Sequence, residues 1–307
     1  MWFKNIRLYA LADDFTLTTD ALAEAVAQHA FRPCSAGERS AAGWVNPVTP
    51  NRDDDRSTVL THELGNYVLV CLRKQEKILP AAVVNEEADN RVQEIETRDD
   101  RKVYRKEKLQ IKDDVVADLL PRAFSRHRVL HAYIDLKQRL LVVNTSSAAQ
   151  AEELISSLRD ALGSFPVRLL DVNDSPMAVM TGWLRDGHGS DGFQIDQDCE
   201  LINPLEDGNV IRCKSQDLTA EEVTVHLEAG KQVKKLGVVW NEAVSCHVSA
   251  DLTLSRVRFE DMVLEKAREA DAEDAAQQFD QDFAVMTLVV SDLSQSLVKA
   301  FGGSKQQ

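Results

Sequence analysis

Residues 81–120 read AAVVNEEADNRVQEIETRDDRKVYRKEKLQIKDDVVADLL, a run of forty residues without a glycine or a proline. Its apolar side chains recur at helical spacing: Val84, Ala88, Val92 and Ile95 first, then Leu109, Val116, Leu119 and Leu120. This pattern predicts two helices, or one broken helix, that project from a sheet. Pro121 ends the helical run because proline cannot continue a helix.

Strand-forming segments flank this helical run on both sides. Upstream, residues 58–63 and 67–73 are separated by the turn-forming pair Gly65-Asn66. Downstream, residues 129–134 and 140–144 are separated by a turn at Lys137-Gln138. Runs of strands are thus interleaved with runs of helices, without strict βαβ alternation. The sequence therefore predicts an α+β fold with mixed or antiparallel sheets and projecting helices.

The length of 307 residues suggests about two domains at roughly 150 residues each. A glycine- and aspartate-rich patch at residues 186–192 is the best candidate boundary. We therefore expect an N-terminal α+β part at residues 1–188, which carries the helical projection at about 81–120. A C-terminal α+β part, residues 189–307, would end in an acidic helical segment.

Overall charge and motif content exclude several classes of protein. The chain has 50 acidic and 36 basic residues, a formal net charge of −14, so it is not a globally basic nucleic-acid coat. Phosphate-loop, dinucleotide-binding, zinc-protease and serine-hydrolase motifs do not occur. We therefore expect a protein that is not an enzyme and holds neither a cofactor nor a metal.

The five cysteines are scattered and lack a C-x-x-C motif: Cys34, Cys71, Cys199, Cys213 and Cys246. Their number and spacing indicate buried apolar side chains in strands and argue against a disulfide framework or a zinc site. No secretory signal or membrane-length apolar run is visible, which predicts a cytoplasmic protein without membrane contact.

Two weak metal signals remain. His127 and His131 lie four residues apart, but across a predicted change from helix to strand, so the spacing loses its meaning there. The triplet Asp53-Asp54-Asp55 suggests Mg²⁺, whereas a solvated loop kept open by like charge is the favoured interpretation.

Basic charge is concentrated locally. Residues 101–112 contain six basic side chains against Glu107 alone: Arg101, Lys102, Arg105, Lys106, Lys108 and Lys112. Residues 122–128 add Arg122, Arg126 and Arg128, and a further cluster around Glu76 contains Arg73, Lys74 and Lys77. On a helix, Arg101, Arg105, Lys108 and Lys112 would form one stripe. Such a stripe is typical of phosphate binding, and its alternative is a solvated helical face.

The C-terminal part has the opposite charge, with nine acidic and two basic residues between positions 260 and 282. The net charge therefore hides a basic region at about residues 101–128.

Nine short stretches resemble the bacterial RdgC family of recombination-associated proteins, in order and over essentially the whole length. They are MWFKN (1–5), AFRPC (30–34), GWV (43–45), EKILP (76–80), LLPRAFSR (119–126), GFQ (192–194), QDLT (216–219), EAGK (228–231) and FD (279–280). None is a catalytic signature, and together they are quite specific.

The resemblance implies a non-enzymatic DNA-binding protein that forms a ring-shaped homodimer. Duplex DNA would pass through a hole lined by positive charge, with little sequence preference. Such a protein acts in recombination and replication as a negative regulator of RecA, by competing for DNA. A nucleoid-associated cytoplasmic location follows, with single-stranded DNA as a further candidate ligand.

The resemblance also implies site residues. Phe124 matches a family aromatic residue at a subunit contact, for which ordinary core filling is the alternative. Residues 210–217 match a loop associated with ring closure, so Lys214, Ser215 and Gln216 are predicted dimer contacts. Some members have lysine before the glutamine, where this chain has Ser215. That departure leaves the loop's polar contacts open.

The predicted DNA-binding residues are Arg73, Lys74, Lys77, Arg101, Lys102, Arg105, Lys106, Lys108, Lys112, Arg122, Arg126 and Arg128. Two alternatives to a non-enzymatic DNA-binding protein remain. One is a protein–protein regulator of a recombinase with incidental DNA binding, and the other is a nuclease that uses the acidic clusters with Mg²⁺.

Overall fold

The structure is a computed structural model that describes residues 1–51, 59–205, 208–269 and 272–305. Its strands are β1 (Asn5–Leu11), β2 (Ser40–Val45), β3 (Thr61–Leu64), β4 (Tyr67–Ile78), β5 (Phe124–Asp135), β6 (Leu140–Val143), β7 (Val167–Leu169), β8 (Phe193–Ile202), β9 (Val210–Cys213), β10 (Gln232–Trp240), β11 (Val244–Ser249) and β12 (Leu254–Phe259). Its helices are α1 (Thr19–Gln28), α2 (Ala81–Asp99), α3 (Arg105–Leu119), α4 (Ala148–Leu162), α5 (Pro176–Asp186), α6 (Glu221–Glu228), α7 (Asp261–Lys266) and α8 (Ala275–Ala300). A short 3-10 turn, Leu120–Arg122, follows α3.

The strands form one sheet in the order β2-β4-β5-β6-β1-β12-β11-β10-β8-β9. In addition, β3 pairs with β4 and β7 pairs with β1. All of these strand pairs are antiparallel. The α+β prediction is confirmed, and the sheet is antiparallel throughout these pairs.

Strand β1 joins the two halves of the chain. Its residues Arg7 to Ala10 pair with β6, whereas Asn5 and Ile6 pair with Ser255 and Leu254 of β12. The sheet therefore continues across the predicted boundary near residue 188, and the division into two domains stays a prediction.

The C-terminal helix α8 packs its apolar face into the core. Phe283, Met286, Val290, Leu293 and Leu297 are fully buried there. By length and composition α8 could cross a membrane, with 26 residues and a mean hydropathy of 1.2 in its most apolar window. Core packing already accounts for that apolar composition. The C-terminal helical segment consists of two helices, α7 and the longer α8.

The helical projection is a two-helix hairpin, which decides between the two forms expected for residues 81–120. Val84, Ala88 and Val92 of α2 form a small separate core with Ile111 and Val115 of α3. The prediction that Leu109 joins this face is wrong, since its side chain is exposed. Ile111 and Val115, one helical turn apart, face α2 instead.

Strands β4 and β5 are longer than the sequence pattern predicts. They pair residue by residue from Tyr67 opposite Asp135 to Ile78 opposite Phe124. This ladder carries two of the three basic clusters to one end of the sheet, beside the base of the α2–α3 hairpin.

Candidate nucleic-acid interface

The β4–β5 ladder places Lys74 opposite Arg128 and Glu76 opposite Arg126. Glu76 pairs with Arg126 at 2.8 Å and with Lys74 at 3.1 Å. Hydrogen bonds from Arg126 first and then from Lys74 lower the pKa of the Glu76 carboxyl to about 2. These two cations are therefore already partly neutralised by the protein itself.

Glu153 of α4 is the second carboxylate in this network. It accepts from Lys74 at 2.5 Å and from Arg128 at 2.7 Å. Lys74, Arg126 and Arg128 thus share two carboxylates, so this part of the predicted surface carries little free positive charge.

Arg73 and Lys77 of the same cluster point into protein contacts. Arg73 is only 6% exposed, and its guanidinium stacks 4.8 Å over the Phe31 ring and donates to Nδ1 of His127. The Lys77 ammonium donates to the backbone oxygens of Ala36 and Leu120. The prediction of a DNA contact at Arg73 therefore needs correction, because the segment that carries Phe31 covers it. Lys77 has most of its donors occupied.

Arg101 lies in the link before α3, so the predicted four-residue stripe is wrong at its first member. Its guanidinium makes two hydrogen bonds to the Glu107 carboxylate, at 2.6 and 2.8 Å. A bidentate pair of this kind satisfies both groups locally. The helix begins only at Arg105 because residues 100–104 form the turn of the hairpin.

Arg91 and Arg98 of α2 are paired with carboxylates. The other cations of the projection, all within residues 102–112, are exposed and, in the part of the chain that the structure describes, make no ion pair. We call them the α3 cation cluster: Lys102, Arg105, Lys106, Lys108 and Lys112. Arg105, Lys108 and Lys112 fall on one side of α3 by their helical spacing. Arg122, in the turn after α3, is also exposed and has no ion pair among the described residues.

Phe124 is 85% exposed, which overturns the alternative that it fills the core. It stands opposite Ile78, itself half exposed, at the end of the β4–β5 ladder. The neighbouring Arg122 and Arg126 are exposed as well. An apolar pair rimmed by cations is the composition expected of a protein contact surface.

The loop after β9 is held against β8. The Ser215 backbone N–H donates to Asp198 at 3.0 Å, and the Gln216 N–H donates to the Gln197 carbonyl at 3.2 Å. The Gln216 side chain donates to Glu222 of α6 at 2.7 Å. Lys214 and Ser215 are exposed, and Ser215 adopts the left-handed region with φ of 50°. Sequence reasoning missed Asp198 and Glu222, which no motif links to this loop.

The two candidate contact surfaces lie far apart in the sheet. Seven strand-to-strand steps separate β5 from β9, the edge strand that precedes the loop. At about 4.8 Å per step this corresponds to roughly 30 Å along the sheet. Phe124 and the 214–216 loop therefore cannot belong to one continuous patch.

Of the two weak metal signals, only the histidine pair lies within the described residues. His127 contacts Arg73, and Nε2 of the buried His131 lies 3.1 Å from the Pro47 carbonyl oxygen. Asp53, Asp54 and Asp55 lie outside the described residues. Among the residues that are described, no three His, Cys, Asp or Glu side chains are grouped to hold a metal ion.

Taken together, these features define an α+β protein with a helical hairpin that carries an exposed cluster of cations, and with two separate candidate contact surfaces. A family model described as "Putative exonuclease, RdgC" matches residues 1–304. The recombination-associated protein RdgC of Pseudomonas entomophila (strain L48) is 39% identical over 305 residues, which cover 99% of this chain and 98% of that one. The proteins of the same name from Pseudomonas aeruginosa (PAO1) and Proteus mirabilis (HI4320) are 40% and 39% identical over nearly the full length of both chains. The chain belongs to the RdgC family of recombination-associated proteins.

Proposed function

We propose that this chain binds duplex DNA without sequence preference, as a ring-shaped homodimer that acts in DNA recombination and replication. It restrains RecA by competing for DNA and does not cleave the DNA that it holds. The name recombination-associated protein, carried by relatives that match along their whole length, supports a role in this process.

The α3 cation cluster carries the DNA-binding part of the proposal. Its side chains are exposed on the α2–α3 hairpin, and none of them makes an ion pair with the residues that the structure describes. Lysine and arginine that contact phosphates displace condensed counterions, which gives affinity without reading sequence. The acidic remainder of the chain repels DNA, so binding is confined to the cationic surface.

The separation of Phe124 from the 214–216 loop supports the ring. A single two-fold contact gives a dimer without an enclosed hole, whereas two different isologous contacts close one. The exposed apolar pair Phe124 and Ile78 and the polar loop at residues 214–216 lie in different parts of the sheet and would supply two such contacts. One surface is apolar and the other is polar, so each would contact the same surface of the second subunit.

A salt titration of duplex binding tests the proposal. Fluorescence anisotropy of two labelled duplexes of unrelated sequence should give the same affinity. If about six phosphates are neutralised, the slope of log K against log salt should be near −5. An affinity that is independent of salt, or one that differs strongly between the duplexes, would overturn the proposal.

A charge-reversal variant locates the surface. Replacing Arg105, Lys108 and Lys112 with Glu should abolish most duplex binding, because all three are exposed and free of ion pairs in the described structure. The control replaces Lys137, Lys234 and Lys266, which are also exposed, and makes the same change in net charge. Equal loss in both variants would show that total charge, and not the α3 surface, governs binding.

The same variants distinguish competition for DNA from the alternative of a protein–protein regulator that contacts the recombinase directly. Strand exchange by RecA should be inhibited by the wild-type protein and not by the α3 variant. Inhibition that survives in the α3 variant, together with RecA binding in the absence of DNA, would favour direct contact with the recombinase. A fluorescent fusion should co-localise with the nucleoid inside the cytoplasm and lose this pattern in the α3 variant.

The family description names an exonuclease, so cleavage requires its own test. We expect end-labelled linear duplex to keep its length after incubation with the protein and Mg²⁺. Shortening that increases with protein concentration would replace the non-enzymatic proposal.

A further inference from the structure

Two cysteines face each other in the outer ladder of the sheet. Cys199 of β8 stands directly opposite Cys213 of β9. Opposed residues of an antiparallel pair have Cα atoms about 4.5–5.5 Å apart and point their side chains to the same face. Disulfides span Cα separations of about 4.4–6.8 Å, so no large backbone movement is needed to join these two residues.

The two thiols already interact. Burial first, and then the neighbouring Cys213, raise the pKa of the Cys199 thiol. Both residues pack against the same hydrophobic cluster, with Cys199 buried and Cys213 half-buried.

A small pocket gives solvent access to the pair. It has a volume of about 170 Å³, and its lining includes both cysteines together with Lys214, Lys235 and His247. This space admits a small polar molecule such as a hydroperoxide and leaves no room for a macromolecule.

The other three cysteines lack such a partner. Cys71 pairs across its ladders with Val45 and His131, and Cys246 pairs with Val238. The Cys34 thiol lies outside the strands, 3.6 Å from the Gln75 carbonyl oxygen. Cys199 and Cys213 are therefore the one pair of cysteines that the fold brings together.

We propose that Cys199 and Cys213 form a reversible intrachain disulfide when the protein meets a hydroperoxide. The Cys213 sulfur attacks one peroxide oxygen, the O–O bond breaks, and an alcohol, or water from hydrogen peroxide, leaves with a proton. Cys213 is then a sulfenic acid. The Cys199 sulfur attacks the Cys213 sulfur and displaces its hydroxyl, which leaves as water with the Cys199 proton. Two thiols lose two electrons, and the peroxide gains them.

Exposure assigns these roles. Cys213 is the more accessible thiol and meets the oxidant first. Burial first, and then the neighbouring Cys213, raise the pKa of the Cys199 thiol to about 12, so it stays protonated and acts second. Disulfides in reducing compartments are usually transient and redox-sensing, which suits a bond that cellular reductants reverse.

The bond would act on the loop that follows. Cys213 ends β9, and Lys214, Ser215 and Gln216 come next. A covalent link to β8 would fix the start of this loop beside Asp198, which already holds the Ser215 N–H. This consequence rests on the proposed subunit contact at residues 214–216, whereas disulfide formation itself does not.

Thiol counting in the full-length protein tests the bond. Reduced protein, denatured after treatment, should show five reactive thiols, and the count should fall to three after hydrogen peroxide. Peptide mapping should find Cys199 joined to Cys213 with the loss of two hydrogens, and a reductant should restore all five. An unchanged count, a link between chains, a different pair or a terminal sulfinic acid at Cys213 would overturn the proposal.

Matched variants keep the test sharp. Cys34→Ser removes the other half-buried thiol and should still lose two thiols on oxidation. Cys199→Ser and Cys213→Ser should each form no intrachain disulfide. The loss of two thiols is measured in wild type and Cys34→Ser. The test therefore remains valid even if Cys199→Ser or Cys213→Ser folds poorly.

The coupling to the loop is measured separately, by subunit exchange between labelled dimers. Exchange should slow severalfold in oxidised wild type and stay unchanged in peroxide-treated Cys199→Ser. Equal exchange rates with the disulfide present would overturn the coupling. Failure to find dimers at all would count against the proposed function and leave the mapped disulfide standing.

Discussion

Arg101 and Glu107 face each other across the turn that begins α3, joined by hydrogen bonds of 2.6 and 2.8 Å. The pair raises the pKa of Arg101 and lowers that of Glu107, each mainly through this hydrogen bonding. Arg105, one turn further along, has no ion pair in the described structure. Two arginines four residues apart therefore present different charge to an approaching phosphate.

This difference predicts unequal effects of two identical substitutions. Arg105→Gln should weaken duplex binding severalfold and make the salt slope shallower by about 1, because it removes one phosphate contact. Arg101→Gln should leave both quantities nearly unchanged. Anisotropy titrations at several salt concentrations measure them, and equal weakening by both substitutions would contradict the internal pairing of Arg101.

Phe124→Ala should open the proposed ring without unfolding the chain. Its side chain is exposed, so we expect the free energy of unfolding to change by at most about 0.5 kcal/mol. During a high-salt wash, wild-type protein should remain bound to circular plasmid and slide off linear DNA. Phe124→Ala should dissociate from both the circular and the linear DNA. Tyr104→Ala, which removes another exposed aromatic residue, is the control. Retention of Phe124→Ala on circles would show that Phe124 does not close a ring.

Gln216→Ala should weaken the second contact independently of the first. Each single variant should remain dimeric at moderate concentration, since the other contact persists. The double variant Phe124→Ala/Gln216→Ala should be monomeric, because contacts this far apart add. Sedimentation velocity measures these states. A monomeric single variant would show that the dimer depends on one contact alone.

Ile111→Ala should destabilise the α2–α3 hairpin. Ile111 is buried in the small core between the helices, and its truncation leaves a cavity that costs about 2–5 kcal/mol. Leu109→Ala, on the exposed side of α3, should change stability by less than about 0.5 kcal/mol. Hydrogen exchange of α2 and α3 amides should report the loss. Similar exchange in both variants would contradict the observed face of α3.

The Glu76 network should contribute to acid sensitivity. The pKa of Glu76 falls to about 2 in the folded chain from an ordinary value of 4.5. Its stabilisation is therefore complete above pH 4.5 and disappears as the pH falls towards 2. Glu76→Gln should lose at most about 1 kcal/mol at pH 7, since the network is partly exposed. Urea unfolding at pH 7 and pH 3 should show a smaller difference from wild type at the lower pH.

The helical hairpin and the antiparallel α+β architecture were predictable because apolar periodicity reports which face of an element is buried. The positions at which β4 ends and β5 begins could not be predicted from the sequence. From Lys74 to Lys77 and from Ser125 to Arg128 the side chains are polar, so a period of two is absent although the backbone pairing continues. Backbone hydrogen bonds extend these strands, and such bonds do not depend on which side chains are present.

The division of the basic residues was also beyond the sequence. Local spacing places Arg105, Lys108 and Lys112 together, but it does not bring Glu153 beside Lys74 or Phe31 beneath Arg73. The expectation of free cysteines in strands is met by four of the five, but the sequence did not indicate that two of them stand opposite each other. The proximity of Cys199 and Cys213 depends on the register of β8 and β9, which spacing alone does not set.

The placement of β1 constrains the order of folding. Most of β1 pairs with β6 and β7, about 130 to 160 residues later, whereas Asn5 and Ile6 meet β12 about 250 residues later. During synthesis on the ribosome, the start of β1 therefore lacks its β12 partner until most of the chain has emerged. An open strand edge is a template for wrong pairing. We therefore expect wrong strand pairing to be most frequent while only the N-terminal half has been synthesised.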